Sequence, residues 1–199
     1  MVRYATRVGV ALLSISLVLG LAGGASAQDF EPSPSPARRS DEARVRFGAS
    51  LGTGFGNADV RNNPMLPADV HGRIGVQLND WFAVYYQAMV RVAFELRLCI
   101  LACDGQSGVD VVHASTVMAE ATLGDGFQVA AGPTVVVGSG GMGTAAGLGL
   151  TGRVGWTFGG TGEGPRQGFS IALQPNGGWY VTQPGGYFDM TLVLGWDSF

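Results

Sequence analysis

The sequence predicts an all-β protein, a single eight-stranded antiparallel up-and-down barrel that crosses a membrane. Residues 82–98 alternate without interruption between an apolar and a mixed polar face, which is the side-chain period of a β-strand. An ordinary strand averages about five or six residues, whereas a membrane-crossing strand needs roughly nine to eleven. Charged residues make up only 14% of the chain and 33 residues are glycine. The second face of the sheet therefore carries mostly small side chains, unlike the charged surface of a soluble barrel.

The first 42 residues are expected to lie outside the barrel. Two arginines precede an apolar run and a small-residue cleavage site (Ala-Ser-Ala, 25–27), so residues 1–27 are predicted to be a secretory signal peptide. Residues 28–42 are rich in proline, serine and charge, which is typical of a flexible linker. This linker would lie in the periplasm, and the barrel domain is assigned to residues 43–199.

Eight alternating segments follow, separated by connections that contain glycine or proline. They cover residues 43–55, 68–79, 82–98, 109–123, 127–137, 146–158, 168–181 and 187–199. The end of the barrel that holds the chain termini receives the connections 79–81, 124–126 and 159–167, mostly tight turns. The other end receives 56–67, 99–108, 138–145 and 182–186. Short turns at one end and longer loops at the other are typical of outer-membrane barrels, which have an even number of strands.

Aromatic residues gather near the end that holds the termini. Bilayer interfaces favour tryptophan, tyrosine and phenylalanine. The aromatic residues at this end are Phe47, Trp81, Phe82, Phe127, Trp156, Phe158, Phe169, Trp196 and Phe199. A soluble barrel has no reason to collect aromatic side chains from six strands at one level, so the pattern indicates a membrane interface.

The last segment ends in an aromatic residue, Phe199. In this feature and in their eight segments, residues 43–199 resemble the small eight-stranded outer-membrane barrels of the outer-membrane protein A and X families. The resemblance implies a Gram-negative-type outer membrane and recognition of Phe199 by the barrel-insertion machinery. It carries over no functional residue. Phe199 and Trp196 are three residues apart and would face opposite sides of a regular strand. A bulge or an early strand end is therefore required for both to face lipid.

The lumen of an eight-stranded barrel is narrow enough for side chains to fill, and inward charges there need partners. Placing lipid-facing residues opposite one another gives the pairs Asp69–Arg91, Arg73–Gln87, Arg97–Asp110, Gln87–Glu120, Glu120–Ala130 and Ala130–Arg153. Glu120 is thus predicted to lie in one row between Arg73 and Arg153. The predicted luminal charge network comprises Asp69, Arg73, Arg91, Arg97, Asp110, Glu120 and Arg153. We interpret it as structural filling, because ion pairs of this kind are common where no chemistry occurs.

One short motif points to catalysis. His113 and Ser115 share a face in an extended strand, here the lipid face, where polar groups are costly. The motif resembles the His-x-Ser of the outer-membrane lipid A 3-O-deacylases, and the resemblance implies a histidine base and a serine nucleophile. Those enzymes carry an acidic residue about a dozen positions further on, where this chain has Phe127. Glu120 is predicted to face the lumen. The pattern of this strand is also compatible with the opposite facing, in which the even-numbered residues from Val112 to Met118 point outward.

Cys99 and Cys103 lie in a predicted loop tip, and in an exported protein they are expected to form a disulfide. We predict no metal site, because the two histidines of the chain, His71 and His113, are far from these cysteines and zinc requires four ligands. All basic residues are arginine, and they form no run that would suggest binding to nucleic acid.

We interpret these patterns as a small outer-membrane barrel with no enzymatic activity and no cofactor, in contact with outer-membrane lipid. Its expected role is envelope integrity or surface contact through its loops. Three alternatives stay open at this stage. They are a lipid A deacylase that uses His113 and Ser115, a narrow pore for small or apolar solutes, and a soluble secreted ligand-binding barrel. The last alternative would place the apolar face of residues 82–98 inside.

Overall fold

The computed structural model describes residues 43–57, 65–95, 109–140, 143–159, 167–182 and 184–198. They form the strands β1 (Arg44–Asn57), β2 (Met65–Gln77), β3 (Phe82–Glu95), β4 (Val109–Leu123), β5 (Phe127–Gly140), β6 (Gly143–Phe158), β7 (Gln167–Tyr180) and β8 (Gly186–Ser198). Among these residues no helix is long and apolar enough to cross a membrane. The predicted signal peptide and linker, Cys99, Cys103 and Phe199 lie outside the described residues.

The eight strands close into one antiparallel barrel in sequence order, with β1 paired to β8. The predicted all-β, eight-stranded up-and-down barrel is therefore confirmed. Closure gives every strand two hydrogen-bonded neighbours, so the backbone amides and carbonyls of the wall are paired within the sheet. A bilayer supplies no water to satisfy such groups, and closed barrels are one of the two backbone structures that can span it.

The strands differ from the predicted segments mainly at the end of the barrel opposite the termini, which we call the far end. The predicted loop 138–145 is wrong, because β5 runs to Gly140 and β6 starts at Gly143, with the two ends paired. Ser139 and Thr144 continue the alternation of their strands, so the two strands stay paired up to Gly140 and Gly143. The longer connection from Phe158 to Gln167 lies at the end of the termini. The expected division into short turns at one end and longer loops at the other therefore does not hold for the connections on either side of β6.

The two faces of the wall have opposite character. Large apolar side chains point outward and are exposed, among them Leu51 (64%), Ile74 (60%) and Leu150 (67%). Charged side chains point inward and are almost completely buried, as Arg46 and Glu120 show (1% each). On β3, the apolar residues of the alternating run face out, including Val84, Tyr86 and Phe94. A soluble barrel requires the reverse arrangement, so the alternative with the apolar face inside is wrong.

Exposed aromatic side chains form a belt at each end of the wall. At the end of the termini the belt contains Phe47, Trp81, Trp156, Phe158, Phe169 and Trp196. At the far end it contains Phe55, Phe94, Trp179 and Phe188. Adjacent rings make contact, as the centroids of Phe127 and Trp156 lie 6.2 Å apart. Two such belts with an apolar band between them match the two interfaces of a bilayer.

Candidate functional site

The half of the lumen nearer the termini holds an ion-pair cluster around Glu120. The carboxylate of Glu120 is paired with Arg46 and, at 3.4 Å, with Nη1 of Arg153. It also accepts a hydrogen bond from the hydroxyl of Tyr85 at 3.1 Å. The Arg46 guanidinium lies 5.3 Å from the centroid of the Tyr85 ring, within the range of a cation–π contact. The three partners come from β1, β3 and β6, so the cluster around Glu120 crosses the lumen.

Asp197 is the second carboxylate of this cluster. It is paired with Arg73 at 3.2 Å and with Arg153 at 3.4 Å. Arg153 therefore bridges the two carboxylates, and all of these side chains are at most 5% exposed. The structure thus places three arginines and two carboxylates in one buried group at this level.

The predicted row Arg73–Glu120–Arg153 is correct only in part. The registers that put Ala130 opposite Glu120 and Arg153 are as predicted, and Arg153 does pair with Glu120. Arg73, however, pairs with Asp197 instead. The neighbour missed for Glu120 is Arg46 on β1, which is not part of the predicted network.

The error arises in the register between β3 and β4. Val109 lies opposite Phe94 rather than Leu98, and Gln87 lies opposite Thr116 rather than Glu120. Asp110 lies opposite Ala93 rather than the predicted Arg97, and Arg97 is outside the described residues. The shift is four residues. Because this number is even, both registers keep the same side chains inside, and the alternation alone cannot choose between them.

The far half of the lumen holds a second cluster around Arg91. As the predicted register requires, Arg91 lies opposite Asp69, and its Nε and Nη2 donate to the two oxygens of that carboxylate at 2.7 and 2.8 Å. Arg91 also pairs with Asp189, which accepts a further hydrogen bond from Asn176 at 2.6 Å. Sequence reasoning missed Asp189 and Asp197, although both share the inward parity of β8 with Tyr187 and Thr191.

A layer of uncharged polar side chains fills the middle of the lumen. The hydroxyls of Thr116, Thr134 and Thr151 form a hydrogen-bonded chain, with spacings of 2.9 and 2.6 Å, that ends on Asn176 at 2.9 Å. The amide of Gln87 donates to that of Gln174 at 3.2 Å. A cleft at the far end, above Arg91, encloses only about 20 Å³, room for one or two water molecules.

Two glycines on the wall make room for the side chain of Tyr187 in the far half. A Cβ atom at Gly149 would overlap the hydroxyl oxygen of Tyr187, and one at Gly178 would lie 2.8 Å from it. The Tyr187 ring also packs against Tyr180, with 5.6 Å between the centroids. The space left by these two glycines is thus occupied by the Tyr187 side chain.

His113 and Ser115 lie on the lipid-facing side of β4, beside the exposed Val117, while Ala114, Thr116 and Met118 are buried inside. The alternative facing of this strand is therefore wrong. Oγ of Ser115 lies 3.2 Å from Nε2 of His113 and 2.8 Å from the hydroxyl of Tyr86 on β3.

The strand neighbours directly opposite His113 are Val90 and Val137, so no acidic residue flanks it in the described wall. Phe127 occupies the position where the deacylase pattern requires an acid, and Glu120 is buried in the lumen. Among the described residues, Ser115 and His113 therefore form a hydrogen-bonded pair without the third member of a triad.

These features define a transmembrane β-barrel whose exterior is apolar and whose lumen is filled with paired charges. The fold is similar to that of neisserial surface protein A, with a TM-score of 0.52, 11% sequence identity and coverage of 79% of this chain and 98% of the other. Ail, the attachment invasion locus protein of Yersinia pestis, gives a TM-score of 0.43 at 12% identity, covering 80% and 99%.

No protein-family model matches the sequence, and no curated protein matches it. The chain has the fold of the small eight-stranded outer-membrane β-barrels, as its sequence predicts. At this level of identity, the similarity concerns the fold and not a shared activity.

Proposed function

We propose that this protein is a non-enzymatic barrel of a Gram-negative-type outer membrane, and that it acts in envelope integrity or in surface contact through the connections between its strands. The observation that carries the proposal is the filled lumen. Among the described residues, four arginines and four carboxylates are buried there (Arg46, Arg73, Arg91, Arg153, Asp69, Glu120, Asp189 and Asp197). Their numbers match, which is the condition for placing so many charges in a narrow interior.

The apolar exterior and its two aromatic belts support the membrane location. Export to an outer membrane requires the predicted signal peptide at residues 1–27, and insertion is expected to use Phe199. The layer of threonine, asparagine and glutamine side chains argues against a pore, because these groups occupy the middle of the lumen with exposures of 5% or less.

Membrane fractionation and channel recordings test this proposal. We expect the protein in the outer-membrane fraction, with a band that migrates differently before and after boiling because membrane barrels stay folded in detergent until heated. In planar lipid bilayers, the wild type should show no discrete conductance steps. A variant that combines Gln87→Ala, Gln174→Ala and Thr151→Ala removes three of the six side chains of the middle layer, and conductance steps seen only in this variant would show that these side chains help to close the lumen. Recovery in the soluble fraction, or steps in the wild type, would contradict the proposal.

Lipid A deacylation is a second candidate, favoured by the hydrogen bond between Ser115 and His113 on the lipid-facing wall. The missing acidic residue weakens it, because a serine nucleophile depends on an oriented base. We expect lipid A from cells that express the protein to carry the same number of acyl chains as lipid A from cells without it. Loss of one chain that depends on Ser115, and disappears in Ser115→Ala, would establish the enzyme instead.

A further inference from the structure

The lipid-facing wall carries one cluster of polar side chains away from the strand ends. In the described strands, four outward-facing residues are polar and lie more than three positions from a strand end. They are Thr53, Tyr86, His113 and Ser115. Thr53 donates its hydroxyl to the carbonyl of Pro67 at 3.1 Å and is therefore satisfied. The other three form a continuous chain from the Tyr86 hydroxyl through Ser115 Oγ to Nε2 of His113.

A count of the polar hydrogens shows that Tyr86, Ser115 and His113 cannot use all of their donors in hydrogen bonds with one another. With a neutral imidazole, the three groups carry three polar hydrogens, one each. The two internal hydrogen bonds use two of them in either direction of the chain and for either tautomer of His113. One donor is always left, on His113 Nδ1, on Ser115 or on the Tyr86 hydroxyl.

A spare donor on this surface needs an acceptor from outside the protein. An unsatisfied polar group in hydrocarbon costs several kcal/mol, and the strand neighbours of Ser115 are Ala88 and Val135, which offer no side-chain acceptor. Because Ala88 is small, the wall beside Ser115 is shallow enough for an acyl chain to lie against it. The hydrogen-bond acceptor that a membrane lipid brings to such a surface is the carbonyl of an acyl ester.

The depth of the cluster determines how a lipid can reach it. His113 lies four residues below Val109, which pairs with the exposed Phe94 of the far aromatic belt. At about 3.3 Å per residue along a strand and with a tilt of about 40°, His113 is about 10 Å below the belt. The imidazole thus lies in the leaflet at the far end, below the level of its ester groups, so a lipid that brings a carbonyl to it must sit deeper along the wall than the lipids around it.

We propose that Tyr86, Ser115 and His113 form a binding site for the ester carbonyl of a membrane lipid, with the spare hydrogen of the chain as the donor. The inference rests on the proposed membrane location and requires no hydrolysis of the ester. It assigns the polar cluster a role in holding one lipid against β3 and β4.

Ester and ether lipids distinguish this site from ordinary lipid contact. The protein is folded into vesicles of equal parts diester and diether phosphatidylcholine with the same chains, transferred to mild detergent, and analysed by native mass spectrometry for retained lipid. The ether lipid lacks the carbonyl but is otherwise matched. We expect the wild type to retain the ester lipid about five to ten times more than the ether lipid, the ratio that one net hydrogen bond gives.

Two variants complete the test. Combining Tyr86→Phe, His113→Leu and Ser115→Ala removes every donor and should lower the ratio to about one, whereas Thr53→Val removes a satisfied hydroxyl and should leave the ratio unchanged. Each single substitution still leaves a spare donor, so none should abolish the preference. A wild-type ratio near one, or an unchanged ratio in the triple variant, would overturn the proposal. Failure of the membrane location appears separately, as a wild type that gives no heat-shifted band in vesicles.

Discussion

Replacing Glu120 by alanine tests the luminal network at its most connected carboxylate. Glu120 is 1% exposed and contacts Arg46, Arg153 and Tyr85. Its removal leaves Arg46, Arg73 and Arg153 with Asp197 as the remaining carboxylate at this level. Removing one partner of a buried ion pair typically costs about 3–5 kcal/mol, and we expect Glu120→Ala to lower the free energy of unfolding by that amount.

Glu120→Gln separates the charge from the hydrogen bonds. The amide oxygen of glutamine can still accept from Arg46 or Tyr85, but the negative charge is lost. We therefore expect a smaller loss, about 1–3 kcal/mol. Urea unfolding in lipid vesicles, followed by the fluorescence of the four tryptophans, measures both variants against the wild type.

A double-mutant cycle identifies the arginine that faces Glu120. Residues in contact couple by about 0.5–3 kcal/mol, so Glu120→Ala should couple more strongly with Arg46→Ala than with Arg73→Ala, whose partner in the structure is Asp197. An unchanged unfolding midpoint of Glu120→Ala would refute the network. A stronger coupling to Arg73 would show that the register between β3 and β4 is the one predicted from the sequence.

Three further predictions follow. Leu150→Arg, on the lipid-facing side of the middle of β6 and 67% exposed, should destabilise the barrel in vesicles by about 2–4 kcal/mol, and equal damage from Leu150→Ala would show that lipid contact is not the cause. Gly149→Ala, which puts a Cβ atom on the Tyr187 hydroxyl, should cost about 1–3 kcal/mol by overpacking, whereas Gly138→Ala, with its nearest neighbour at 3.4 Å, should melt like the wild type in a gel-shift assay. Cys99 and Cys103 should stay unlabelled by alkylation without reductant, and intact mass showing two labelled thiols rules the disulfide out.

The sequence by itself determined which side chains face lipid and which face the lumen. The alternation in residues 82–98 has a period of two. A strand with this alternation must have one apolar face and one mixed face. The same alternation, repeated in eight segments, predicted the strand number and the closed barrel. It also placed Glu120 and Arg153 inside, and it put His113 and Ser115 on one shared face.

The tertiary structure alone decided which charges meet. Pairing along the sheet finds neighbours on adjacent strands, as it did for Asp69 and Arg91. Arg46 reaches Glu120 from β1 to β4, and Arg91 reaches Asp189 from β3 to β8, across the lumen and over 74 and 98 positions of sequence. The long arginine side chains can make these contacts because the barrel is narrow, and its closure sets which residues lie opposite one another. An even slip of the register leaves every face unchanged, so the sequence pattern could not exclude the arrangement with Arg73.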